Sequence, residues 1–419
     1  MIDNYLQQLR RSLLIIGSVW PEPGSSAAGK RMLQLMSLFH SQGWEITAAS
    51  PAAKSDFSAD LEDRGMKTLA TDINSSDFDD FIIKLQPSMV LFDRFIVEEQ
   101  FGWRVAEHCP DAIRILDTED LHCLRRARRR AVHREHPFDP RELLEDETAK
   151  REIASILRSD LSLIISDFEM DLLKNQFNLD PSLLYYLPFL VHPIEDELQQ
   201  MWPTFEERSH FVTIGNFRHP PNLDAIQFAK QDVWPLIRQR LPQAEFHVYG
   251  AYPSQEVKEL HQPDEGFHIR GRAEDANEVV QQARVLLAPL RFGAGLKGKL
   301  MQSMACGTPN VTTHIGAEGL LGTMSWNGII ADSAEDLASA AVRLYTRREA
   351  WHRAQEQGVR IINERFAKEH FSGGLIERVE NIHLNTKQHR RNNFMGSMLM
   401  HHTAASTKYM SKWIEEKNR

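Results

Sequence analysis

The chain begins the same folding unit twice. Leu13-Leu14-Ile15-Ile16-Gly17 is an apolar run closed by glycine; a Pro/Gly/Ser loop from Pro21 to Gly29 follows, and then RMLQLMSLFHSQG, where Met32, Leu35, Met36, Leu38 and Phe39 recur at helical spacing. The order returns 198 positions later (211 − 13) as Phe211-Val212-Thr213-Ile214-Gly215, a loop from Asn216 to Asn222 holding Pro220 and Pro221, and a helical segment Leu223 to Ile237. Short apolar runs predict further strands at 44–49, 89–92, 113–116, 161–165 and 183–187, then at 245–249, 267–270, 285–289 and 310–313, with polar helical stretches between them. That alternation predicts parallel α/β sheets. With 419 residues, each half is long enough to bury its own core. The expected organisation is an α/β domain over 1–190, a Pro- and charge-rich linker over 191–210, a second α/β domain over 211–375 and a basic, amphipathic helical tail over 376–419.

Charge and cysteine usage narrow the function classes. The formal net charge is 49 − 58 = −9, so the chain as a whole offers no basic field to nucleic acid. Cys109, Cys123 and Cys306 show no paired spacing, which argues against a disulfide framework or a cysteine zinc site and fits a reducing cytoplasm. No stretch reaches the ~18–20 apolar residues of a spanning helix. Two local exceptions oppose the acidic total: six arginines lie between Arg125 and Arg134, and the tail from Lys387 carries seven Lys/Arg against two Glu, interleaved with Phe394, Met398, Met400, Tyr409, Met410 and Trp413. Either could give peripheral contact with a membrane. The competing readings are a solvated helix face for the first and a helix docked back on the domains for the second.

The richest stretch is RVLLAPLRFGAGLKGKLMQSMACGTP, residues 284–309. A strand runs into a loop with Gly293, Gly295 and Gly298, and a helix follows. Glycines let backbone approach a ligand, unpaired amides at a helix start bind anions, and Lys297 and Lys299 add point charges. Cations at a helix start run against the macrodipole, so a bound anion would compensate. The alternative is a tight turn with two solvated lysines. The same residues spell G-x-G-x-x-G, with Glu318 twenty positions after Gly298, which would suit a dinucleotide; yet that fingerprint belongs after the first strand of a domain, and this one sits several strands in. Gly24 to Lys30 fits G-x-x-x-x-G-K, but Arg31 stands where a nucleotide-triphosphatase needs the metal-binding hydroxyl.

These segments resemble the GT-B-fold glycosyltransferases of the family 4 type. The resemblance is carried by Gly293-Ala294-Gly295-Leu296-Lys297-Gly298-Lys299, then Leu300 to Ala305, Gly307-Thr308-Pro309 and Thr312 to Gly319, with Gly215 to Asn222 as the domain's first loop and Trp20 to Gly29 as the glycine loop of the acceptor domain. It implies two Rossmann-like domains facing each other across a cleft. It further implies a nucleotide-diphosphate sugar donor held by Gly215, Arg218, Gly293, Gly295, Lys297, Gln302 and Glu318, with no cofactor and no metal. A saccharide or lipid-linked acceptor would lie near Ser25, Ser26 and Gly29, and the product would be a surface polysaccharide or glycolipid. The family's pair of glutamates eight positions apart falls here on Ala294 and Gln302. A non-catalytic donor-binding subunit is therefore a second reading, and an NAD(P)-dependent oxidoreductase using the glycine fingerprint a third.

Chemistry on the first half is expected at Leu116-Asp117-Thr118-Glu119-Asp120-Leu121-His122, after a predicted strand. Asp120, Asp117 and His122 are candidates for a general base; the alternative casts the aspartates as helix N-caps. Glu98, with Arg94 and Trp103, follows another strand end and is expected on the acceptor side. No HExxH motif occurs, and the histidine pairs His401-His402 and His133/His136 do not argue a metal.

Overall fold

The computed structural model describes residues 11–401 together with 410, 413, 414 and 417. Seven parallel strands form the first sheet: β1 (Ser12–Ile16), β2 (Glu45–Ser50), β3 (Lys67–Ala70), β4 (Met89–Asp93), β5 (Ile113–Asp117), β6 (Leu161–Ile164) and β7 (Leu184–Tyr186), in the order β3-β2-β1-β4-β5-β6-β7. The second has six: β8 (Ser209–Ile214), β9 (Phe246–Tyr249), β10 (Phe267–Gly271), β11 (Ala283–Ala288), β12 (Asn310–Thr312) and β13 (Gly328–Ile330), in the order β10-β9-β8-β11-β12-β13. Both are doubly wound Rossmann-like sheets, with a topological switch between β1 and β4 and again between β8 and β11.

The apolar runs became the central strands because both of their faces are covered. Every residue of β1 and β4 is buried, and helices on the two sides supply separate cores, one around Leu13, Ile15, Phe39 and Leu91, the other around Leu14, Ile16, Phe92 and Phe101. The strands absent from the sequence reading, β3 and β13, lie at sheet edges and are half-exposed, so neither carries an apolar run. The helix after β8 begins at Pro220, three residues before the expected start. Both prolines occupy its first turn, where a missing N–H costs nothing and the fixed φ already suits a helix. A π turn at Ala229–Val233 then leads to Trp234–Arg240.

The chain's end returns to the first domain. Helix Ser372–Leu384 places Leu375, Val379 and Ile382 in the core that holds Leu13 and Leu187. Thr386–Asn392 and Phe394–Met400 continue along the same domain, where Arg390 pairs with Asp160 and Asn393 donates to the carbonyl of Leu157 at 2.7 Å. Tyr409 and His402 of the expected tail lie outside the described residues.

Candidate active site

The carboxyl ends of both sheets face one another across a cavity of about 810 Å³. One wall is the loop after β1, the ends of β4 and β5, and the start of helix His122–His133; the other is the loop after β8, the turns after β9 and β10, and the segment Phe292–Lys299 after β11. Three of the lining residues, Arg94, Glu119 and Tyr252, hold positive φ of 73°, 60° and 59° without being glycine. Non-glycine residues in that region are uncommon, and they concentrate where surrounding structure over-determines a functional geometry.

On the first domain, Ser26 caps helix Ala27–Ser41 by accepting from the amide of Gly29, and Ser25 lines the cavity. A Cβ on Gly29 would fall 2.5 Å from the Glu22 backbone, so only glycine lets the loop fold back onto its helix. Asp120 and His122 reach the cavity, their Oδ1 and Nε2 3.6 Å apart. Burial opposes the charge of Asp120, but Arg125, which pairs with it, and His122 outweigh burial and hold the carboxyl below the usual range. Burial pushes His122 down to about 4 against the opposing pull of Asp120, so the imidazole is neutral at pH 7.

Asp117 and Glu98, expected at the site from the sequence, do not reach the cavity, and neither does Trp103. Asp117 is fully buried at the end of β5, where Arg31 Nη2 approaches its Oδ1 at 2.8 Å and Arg31 Nε bonds both carboxylate oxygens. Arg31, the residue that spoils the triphosphatase motif, thus has a structural task; it also donates to the carbonyls of Leu187 and Pro188. Glu98 turns into the first domain and is held by Arg158, with Nε 2.9 Å from Oε1. Neither aspartate caps the helix at His122: Glu152 accepts from the amides of His122 and Cys123, and Glu169 from that of Leu121.

On the second domain, Gly215, Arg218, Gly293, Gly295, Lys297 and Gln302 line the cavity. A Cβ on Gly215 would crowd the Asn222 amide at 2.6 Å and Lys299 Nζ at 3.1 Å. Gly295 has φ +60°; its Cβ would fall 2.9 Å from that of Asp120, and its amide donates to Glu169 Oε1 at 2.9 Å, so the loop is packed tightly against the opposite domain. Arg218 stacks 3.8 Å over the ring of Tyr252, whose hydroxyl donates to Glu22 across the cleft. Gln302 donates to Asn277 at 2.9 Å.

The two lysines differ. Lys297 is buried and turned inward, donating to the Gly295 carbonyl at 2.9 Å with Glu318 at 4.0 Å. Lys299 faces the cavity and has no acidic partner among the described residues; burial pushes it down to about 8. Glu318 faces away from the cavity and takes a bidentate bond from Arg128, both distances 2.7 Å, which ties the basic run of one domain to the other. Arg125 and Arg130 of the same run are paired with Asp120 and Asp146.

Glu119 and Glu169, which the sequence did not single out, are carboxyls that burial pushes up to about 8, each with one oxygen lacking a hydrogen-bond partner among the described residues. The dinucleotide fingerprint follows β11, not the domain's first strand β8. Among the described residues no helix is long and apolar enough to cross a membrane.

Two doubly wound domains opposed across a cleft, with a glycine-lysine loop on one wall, define the GT-B class of fold. Within that class of fold, residues 208–347 match the family described as "Glycosyl transferases group 1". No curated protein matches the sequence. Among solved structures, sucrose-phosphate synthase from Thermosynechococcus elongatus is 14% identical with a TM-score of 0.67, covering 89% of this chain and 99% of its own. Anabaena HepE in complex with UDP and glucose is 14% identical (TM-score 0.64, 88% and 99% covered). WaaG, a glycosyltransferase of lipopolysaccharide biosynthesis, is 11% identical (TM-score 0.59, 87% and 98% covered).

Proposed function

We propose that the protein transfers a sugar from a nucleotide-diphosphate donor to an acceptor hydroxyl in the cleft. The observation that carries this reading is Lys299, a half-buried ammonium at the cavity wall with no acidic partner among the described residues, beside the Gly293–Gly298 loop and the Gly215 turn. A diphosphate supplies the missing anion, and the charge that develops on it as the sugar departs is stabilised by Lys299, Arg218 and the loop amides. Gln302, which lines the cavity, bonds a ribose hydroxyl of the donor in this reading. The structure of HepE with UDP and glucose supports this class of donor.

On the opposite wall, His122 takes the acceptor proton. It is neutral at pH 7, and the imidazolium formed is stabilised by Asp120, whose charge is secured by Arg125. The acceptor, a saccharide or lipid-linked sugar of a surface polysaccharide or glycolipid, lies along Ser25 to Gly29. The role of WaaG supports that acceptor class. Peripheral membrane contact falls to the tail, where Phe394, Met395 and Met398 are exposed, since Arg125, Arg128 and Arg130 of the basic run are paired within the protein. Titration calorimetry against UDP- and GDP-sugars, followed by a donor-hydrolysis assay, tests the reading. Binding of one donor with slow hydrolysis is expected; binding without turnover of any donor or acceptor would make the chain a non-catalytic subunit, and no nucleotide binding at all would overturn the proposal.

A further inference from the structure

A second cluster of ligand-bearing side chains lies away from the cleft, on β9 and the edge strand β10. Glu245 immediately precedes β9, and the register pairs His247 of β9 with His268 of β10, which places both imidazoles side by side on one face of the sheet. Glu245 Oε2 is 2.7 Å from His247 Nε2 and 3.8 Å from His268 Nε2, and the three donor atoms all lie within 4.8 Å of one another. Zinc bound at about 2.0–2.2 Å by nitrogen and carboxylate oxygen sets tetrahedral ligands roughly 3.4 Å apart, so only small side-chain adjustments separate this arrangement from a ligand set.

Two independent features show that these groups are poorly satisfied by the protein alone. His268 Nε2 is buried and has no hydrogen-bond partner among the described residues. His247 Nε2 faces a carboxylate oxygen and, at 3.2 Å, the guanidinium of Arg270; one ring nitrogen cannot donate to the first and accept from the second in a single tautomer. A metal ion resolves both, taking the lone pairs of the two Nε2 atoms and the charge of Glu245 while Arg270 swings toward solvent. The His210 ring, stacked on His247 at 4.1 Å, holds that imidazole in place, and the His261 ring lies 5.9 Å from that of His268.

We infer that Glu245, His247 and His268 form a zinc site with a fourth position open to water. Imidazole and carboxylate donors suit zinc over the harder magnesium, which prefers all-oxygen octahedra. The ion would clamp the edge strand β10 to β9. These strands run into Gly250–Tyr252 and Arg272 at the cleft rim, where Arg272 stacks on Phe57 of the other domain at 4.4 Å. The ion would thereby be placed to stiffen one wall of the cleft.

The test uses the full chain without a histidine tag, stripped of metal and titrated with ZnCl₂ by calorimetry, with thermal melts in parallel. One equivalent of zinc and a melting point that rises with zinc but not with magnesium are expected. Glu245→Gln, half-exposed and tolerant of change, is expected to weaken binding at least tenfold, and His247→Ala with His268→Ala to abolish it, with circular dichroism confirming the fold. Absence of stoichiometric binding, an equal shift with magnesium, or undiminished zinc affinity in Glu245→Gln and in the double variant would overturn the assignment.

Discussion

Replacing Lys299 by Met separates what the cleft does for the fold from what it does for a ligand. The ammonium is held at about 8 by burial, below the ordinary lysine value of 10.5, so below pH 8 the native state carries a penalty that the unfolded chain does not. That gap corresponds to about 3 kcal/mol at neutral pH. Between about pH 8 and 10.5 the unfolded chain binds more protons than the native one, so the stability of the natural protein rises with pH across that window. Methionine is similar in length and carries no charge. Lys299→Met should therefore melt several degrees higher than the natural protein at pH 7 without ligand, and should lack the alkaline rise. The same change removes a charged hydrogen bond to the diphosphate, worth about 1.5–3 kcal/mol, and so weakens UDP or GDP binding by roughly 10- to 150-fold. Differential scanning calorimetry and isothermal titration read the two effects separately. A variant that binds nucleotide as well as the natural protein refutes Lys299 as the diphosphate cation; one that melts lower refutes the argument from its missing partner.

Two further outcomes follow from the opposite wall. With His122 pushed down to about 4, the acid limb of the kcat/KM profile should lie near pH 4 and not near the ordinary histidine value, and Asp120→Asn, which removes the group opposing that shift, should move the limb lower still; a limb at pH 6–7 excludes His122 as the base. Asp117→Asn strands the buried Arg31 guanidinium, a change expected to cost about 3–5 kcal/mol in a denaturant melt while leaving the nucleotide affinity of the folded protein intact. A stable variant with impaired binding would return Asp117 to the active site.

Legibility in the sequence followed burial. β1, β4, β5, β8 and β11 are covered on both faces and therefore read as apolar runs, whereas β3 and β13 are edge strands whose KTLA and GII stretches carry too little burial to be read. The glycine-lysine loop could be read because a backbone that must approach closely can use only small residues. Which lysine is free could not: Lys297 and Lys299 differ by two positions, yet one finds the Gly295 carbonyl and the other an open cavity. The caps show the same limit. Asp117 and Asp120 have the right chemistry and position for capping, but Glu152, thirty residues from His122, takes the amide instead.

By itself the sequence determined two restarted parallel α/β units and the stretches of glycine and charge that end their strands, because periodicity, propensity and turn chemistry are local. Only the tertiary structure decided which charges are spent. Arg128 and Glu318, 190 positions apart, neutralise each other across the domain interface, Arg31 and Asp117 do so at the end of β5, and Lys299 is left facing the cleft without an acidic partner among the described residues. Charges pair through space, and the energy of a buried ion depends on the neighbours the fold gives it.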